Sequence, residues 1–246
     1  DSAILLSSMA GFDPLDSGSA NVPMENFVAN IGEDISEMKI GVPQEYFHDI
    51  ISEEVASAVQ AAQEVFLGLG AKVESVSIPR LNHSLAISGT IMLAEAASVH
   101  EKNLKERASQ IGDDVRLRLT QGALLSASDY LKAQRARSEF NKQVNETLQQ
   151  FDVLLSPTIV VGAPRIDEKT VLVDEAEHPA LALMPRLTRP HNICGIPTIS
   201  IPCGFTGKGM PIGLQLAGRA FAEKDIIQAA YAYENATNWS TVRPQL

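Results

Sequence analysis

The chain has 246 residues, 45% of them apolar and 20% charged, and thirty acidic against twenty basic side chains give a formal charge of −10 at neutral pH. That length buries a sizeable core, and the composition excludes disorder, a collagen repeat, a coiled coil and a disulfide scaffold. No run of 18 apolar residues is present, which argues against a membrane-spanning helix, and a net negative charge without a basic stripe argues against nucleic acid as the main ligand.

The first eleven residues carry apolar positions on one face and end in Gly11, which predicts a short helix. A turn at 12–16 and a polar, aperiodic loop over 17–37 follow. Residues 39–43 read as a brief buried strand closed by Pro43. From 52 to 69 the apolar positions Val55, Val59, Ala62, Val65, Phe66 and Leu69 recur at three and four, the period of a helix face. Residues 71–78 then alternate as a strand does. Strand, helix and strand of crossover length make a βαβ unit with parallel strands and a right-handed connection, so the class is α/β.

Residues 83–150 are helical by periodicity, in pieces over 85–108, 111–122 and 128–151, the last with Asp129 in its first turn. Arg135 and Arg137 on that last piece read as a solvated face. A buried strand over 151–158 leaves the long helix, and 162–180 reads as a proline-bounded acidic loop. Strands at 198–205 and 212–218 flank the turn residues of 206–211, the pattern of a hairpin. An amphipathic helix over 223–236 ends the pattern.

Gly204, Gly207, Gly209 and Gly213 cluster around Lys208, but no helix opens behind them, so a hairpin explains them better than a phosphate loop. The five histidines, His48, His83, His100, His178 and His191, lack metal-ligand spacing, and no metal or cofactor is expected. Two cysteines, Cys194 and Cys203, point to a reducing compartment and hence a cytoplasmic protein. Nucleophilic catalysis needs Ser or Cys beside a base and oxyanion donors. No G-x-S-x-G elbow is present, Ser7 and Ser8 read as helix spectators, and Cys194 sits in a Gly/Pro-punctuated segment that reads as an irregular loop.

Five segments, 5–16, 39–47, 151–158, 188–204 and 211–218, resemble the C-terminal half of the amidase signature family in the family's order. The most specific is Thr188-Arg189-Pro190-His191-Asn192-Ile193-Cys194-Gly195-Ile196-Pro197, running on into Pro202-Cys203-Gly204. The resemblance implies a mixed, mostly parallel sheet covered by helices on both faces, with 1–246 the C-terminal part of one amidase domain and about 83–150 a helical insertion. It also implies carboxamide hydrolysis or transfer by a Ser–cis-Ser–Lys triad without metal, in which a neutral lysine draws a proton through the bridging serine. The triad's Gly-Gly-Ser-Ser-type run and its lysine belong to the family's N-terminal half. No such run occurs in these 246 residues, so no catalytic residue is assigned and the chain alone is expected to be inert.

By the same match Thr158, Pro190, Asn192, Cys194 and Gly195 are nominated as substrate-pocket residues. The expected partners are a small-molecule amide and the missing half, in cis or in trans, with a homodimer left open. The glutamine-handling component of the glutamyl-tRNA(Gln) amidotransferase resembles the chain at 39–47 and 151–158. It grips the glutamine amino group with an acidic residue where this chain has Pro185 beside Arg186. A general amidase is therefore favoured, with glutamine-dependent amidotransfer as runner-up. A non-catalytic binding or subunit-interaction homologue is the alternative from another class. A piece of an enzyme predicts exposed apolar faces and unpaired strand edges; an independent module predicts covered ones.

Overall fold

Four of the five residues of β1 (Lys39–Pro43) are buried, as befits a strand covered on both faces. It lies between β2 (Lys72–Val76) and β3 (Val153–Pro157) and runs parallel to both. The structure, a computed structural model, describes residues 1–29 and 31–243. β7 (Pro211–Gly218) pairs antiparallel with β3 and with β6 (Thr198–Phe205), giving the order β2-β1-β3-β7-β6. Four strands thus run one way and β7 runs against them, the mixed and mostly parallel sheet of the α/β expectation.

The predicted βαβ unit is present, with α2 (Glu53–Gly68) joining β1 to β2. The Ser52 side chain accepts from the Val55 N–H at 3.4 Å, and Glu53 and Glu54 sit in the first turn, where the helix dipole favours them. Gly70 ends the unit at φ +87, a left-handed backbone that glycine adopts without steric cost. Val55, Val59, Ala62 and Phe66 form the buried face of α2. Beside α2 lies α9 (Glu223–Ala236), with the Phe66 and Tyr233 rings stacked at 5.3 Å. An added Cβ at Gly218 would come within 2.9 Å of Ile226, so α9 sits directly on β7. On the opposite face of β7, Gln215 reaches the segment that carries the site.

The helical middle divides into α3 (Ser84–Val99), α4 (Glu101–Glu106), α5 (Asp113–Ala123) and α6 (Ala127–Leu148). The single helix expected over 85–108 breaks at His100, because α4 has no buried residue and so no apolar face to continue α3. α6 starts at a Ser126 cap, whose Oγ accepts from the Asp129 N–H at 3.1 Å and donates to the Asp129 carboxylate at 2.7 Å. The acidic segment 162–180, read as a loop, holds a hairpin of β4 (Thr170–Val173) and β5 (Ala176–Pro179). Its turn places Asp174 and Glu175 at φ 49 and 65, where hairpins usually use Asn-Gly or Asp-Gly, so the usual signal was missing. Val171 and Val173 nonetheless alternate inward. Among the described residues no helix is long and apolar enough to cross a membrane.

Candidate functional site

After α7 (Ala180–Leu183), the segment read as an irregular loop forms α8 (Arg189–Cys194). Pro190 stands in its first turn, where the missing N–H costs nothing, and Gly195 closes it at φ 65, its N–H donating to the His191 carbonyl at 2.9 Å. The proline and glycine bracket a helix rather than interrupt one. Four of the five nominated residues are therefore on or beside one short helix: Pro190 is buried, Cys194 half-buried, and Asn192 and Gly195 exposed. Thr158 lies elsewhere, just past β3, with its hydroxyl 2.8 Å from that of Ser200. Gln215 ties the two places together, its buried amide donating to the Pro157 carbonyl at 3.0 Å and the Leu187 carbonyl at 2.9 Å.

A cleft of about 1020 Å³ opens between α3, α5, α6 and the α7–α8 segment. Leu85, Met92 and Val99 of α3 and Leu181 make its apolar wall, and Asn192 faces it with Thr188 and Arg189. The cleft takes in Asn192 but not Thr158, Pro190, Cys194 or Gly195. Arg137, read as solvated face, instead lines the cleft and donates through Nε to the Ile193 carbonyl at 2.8 Å. That contact spans 56 positions, and no local pattern announces it. Arg186 turns away from the cleft: its guanidinium lies 3.9 Å over the Tyr46 ring and donates to the Tyr46 carbonyl, while the Tyr46 hydroxyl donates to the Arg186 carbonyl. This clamp holds Tyr46 in a left-handed backbone at φ 67, a conformation costly for a bulky residue.

Burial pushes the Cys194 thiol up to about 12, against the weaker pull of the nearby Arg137 charge. The thiol is neutral at physiological pH and unsuited to nucleophilic attack. His191 is fully buried, stacked on Phe47 at 5.6 Å, and burial brings it down to about 4 against a smaller opposing effect of Gln215. The unfolded chain binds this proton near 6.5 and the fold does not, so stability is full above that pH and falls as the pH drops toward 4. Integrated from pH 7 to pH 5, the loss comes to about 2 kcal/mol. Urea unfolding at the two pH values is expected to show that loss, and His191→Phe to remove most of it. Equal losses in both proteins would rule His191 out as the source.

A mixed sheet carrying helices, with a cleft of small-molecule size among the described residues, defines an α/β protein. The chain belongs to the amidase signature family, whose family model, described as Amidase, matches residues 1–227. An amidase of Pseudomonas putida is 36% identical over all of this chain and 53% of its own length. The matching component of the glutamyl-tRNA(Gln) amidotransferase of Halothermothrix orenii is 35% identical over all of this chain and 55% of its own. The solved structure of the same amidotransferase component from Thermotoga maritima superposes with a TM-score of 0.77 at 34% identity, covering 95% of this chain and half of that one. A structure from work on the origins of an s-triazine catabolic enzyme superposes at 0.88 with 29% identity and the same coverage. The chain thus spans about half the length of the curated relatives it matches.

Proposed function

We propose that this chain walls the acyl pocket of a carboxamide hydrolase whose nucleophilic serine, bridging serine and lysine lie outside the 246 residues. The observation that carries the reading is the cleft itself, with Asn192 of the family-like segment facing it, in a chain that covers half of its amidase relatives. In the proposed reaction the serine oxygen bonds to the amide carbon as its proton passes through the bridging serine to the neutral lysine. The C–N bond breaks, and the lysine's proton leaves with the amine through the bridging serine. Water then cleaves the acyl-serine. Thr158, Pro190, Cys194 and Gly195 take the supporting role: they set the loop and strand end behind the pocket, and Asn192 alone among the five meets the ligand.

Exposed apolar side chains support a missing half over a self-sufficient module. Met9 of α1 (Ser2–Met9) is 74% exposed and Leu15 94%, and the outer edge of β6 pairs with no strand among the described residues. Pro185 lines the cleft where the amidotransferase would place its acidic grip, and this favours a general amide over glutamine. The purified chain is expected to hydrolyse no aryl or alkyl amide. The same chain extended by its upstream reading frame is expected to do so, through a Gly-rich Ser-Ser run and an earlier lysine. Turnover by the 246 residues alone would overturn the assignment, as would an upstream sequence without those groups.

A further inference from the structure

A second, smaller pocket of about 200 Å³ opens on the far side of α6 from the cleft. Arg135 faces this pocket while Arg137 faces the cleft, because two positions turn a helix through about 200°. The floor is apolar, with Ile87 of α3 and Phe140 of α6 both buried. The rim is charged: Arg80 and His83 come from the segment entering α3, and Arg135 and Glu139 from α6. Among the described residues none of these four side chains makes a hydrogen bond or an ion pair. Arg135 and Glu139 have the i, i+4 spacing of a helix ion pair and form none, whereas Lys142 and Glu146 further along the same helix meet at 4.0 Å.

Arg80 carries a second signal. Its backbone is left-handed at φ 67 and ψ 12, a conformation that glycine takes freely and a long side chain takes at a cost. The turn that imposes it, in which the His83 N–H donates to the Arg80 carbonyl at 2.9 Å, leads straight into α3. An arginine kept where glycine would be easier, with its head group unpaired in a pocket that holds a second guanidinium, points to a use for the charge. A dianion between two guanidiniums relieves their repulsion, and each fork presents paired N–H groups to its oxygens. The buried floor lowers the local dielectric and strengthens both contacts. The volume falls below the roughly 300–1,000 Å³ of sites for drug-sized ligands, which suits one phosphate group rather than a whole cofactor. We propose that this pocket binds a phosphate group through Arg80 and Arg135, with the His83 ring as a further donor. Glu139 opposes the anion and limits the affinity.

The test is calorimetric titration of the chain with inorganic phosphate, phenyl phosphate and acetate at fixed ionic strength. Phosphate is expected to bind saturably at one site, and acetate, with one charge and two oxygens, at least about fivefold more weakly. Arg135→Gln and Arg80→Gly are each expected to weaken phosphate binding about tenfold or more, as loss of a charge-assisted pair does. Glu139→Gln is expected to tighten it about two- to fivefold. Lys142→Gln removes a cation from the same helix outside the pocket and is expected to stay within about twofold. Phenyl phosphate binding more tightly than inorganic phosphate assigns the site to a monoester whose body lies on Ile87 and Phe140; the reverse assigns it to the free ion. No saturable phosphate binding, acetate binding as tightly, parental affinity in R135Q and R80G, no tightening in E139Q, or a loss in K142Q equal to that in R135Q would overturn the proposal. If R80G fails to fold by circular dichroism, R135Q decides in its place. The site lies apart from the cleft, so the titration and the hydrolysis experiment can fail independently.

Discussion

Gly122→Ala is expected to destabilise the chain by roughly 3 kcal/mol or more, toward the upper end for overpacked interiors. A Cβ at this position would lie 2.0 Å from the Leu93 carbonyl oxygen and 2.9 Å from the Ala97 Cβ. The obstacle is backbone, so no side chain can rotate away and α3 and α5 must separate. Leu93 and Gln121 both line the cleft, so the same separation is expected to reshape it. Gly89→Ala is the matched control. It lies inside α3 and lines the same cleft, but its added methyl would meet nothing within 4 Å. Helix propensity alone then predicts a gain of about 0.5–1 kcal/mol. Urea unfolding of both variants reads the difference. A cost below about 1 kcal/mol for G122A would mean that the two helix backbones do not touch as described.

Gln215→Leu is expected to cost about 2–5 kcal/mol, since it strips the donor from two buried carbonyls and each such loss costs about 1–3 kcal/mol. The amide bridges the Pro157 carbonyl at the end of β3 and the Leu187 carbonyl at the entry to α8. Leucine fills nearly the same volume, so the loss reports the unsatisfied groups rather than a cavity. Gln150→Leu removes an exposed amide bonded to the Glu146 carbonyl at 3.4 Å, and its effect is expected to stay within about 0.5 kcal/mol. If Q215L and Q150L unfold at the same urea concentration, Gln215 does not hold the pocket segment to the sheet.

Much of the architecture is legible in the chain because it is local. Val55, Val59, Ala62 and Phe66 recur with the helix period and are the residues α2 buries. The hairpin of β6 and β7 follows from the glycines and proline between them, and α9 occupies the span its periodicity marked. The errors came where one residue type serves two structures. Pro190 and Gly195 read as loop punctuation and are the first turn and the cap of α8. Asp174 and Glu175 adopt the left-handed turn conformation without the glycine that usually marks it.

The site was legible in a different way. Asn192 was reached through its motif, and it faces the cleft. Arg137 carries no motif signal, and on a helix surface it looks like any solvated arginine. What sets it apart is contact across sequence distance, with a carbonyl 56 residues away.

By itself the sequence determined the class, the parallel βαβ unit, the extent of most helices and the family, because periodicity, capping and motif order are written in neighbouring residues. Only the tertiary structure decided which charges are paired, how closely α3 and α5 approach at Gly122, and that a cleft exists at all. Those are properties of surfaces brought together by folding, set by the shapes and charges of residues far apart in the chain, and no local pattern encodes them.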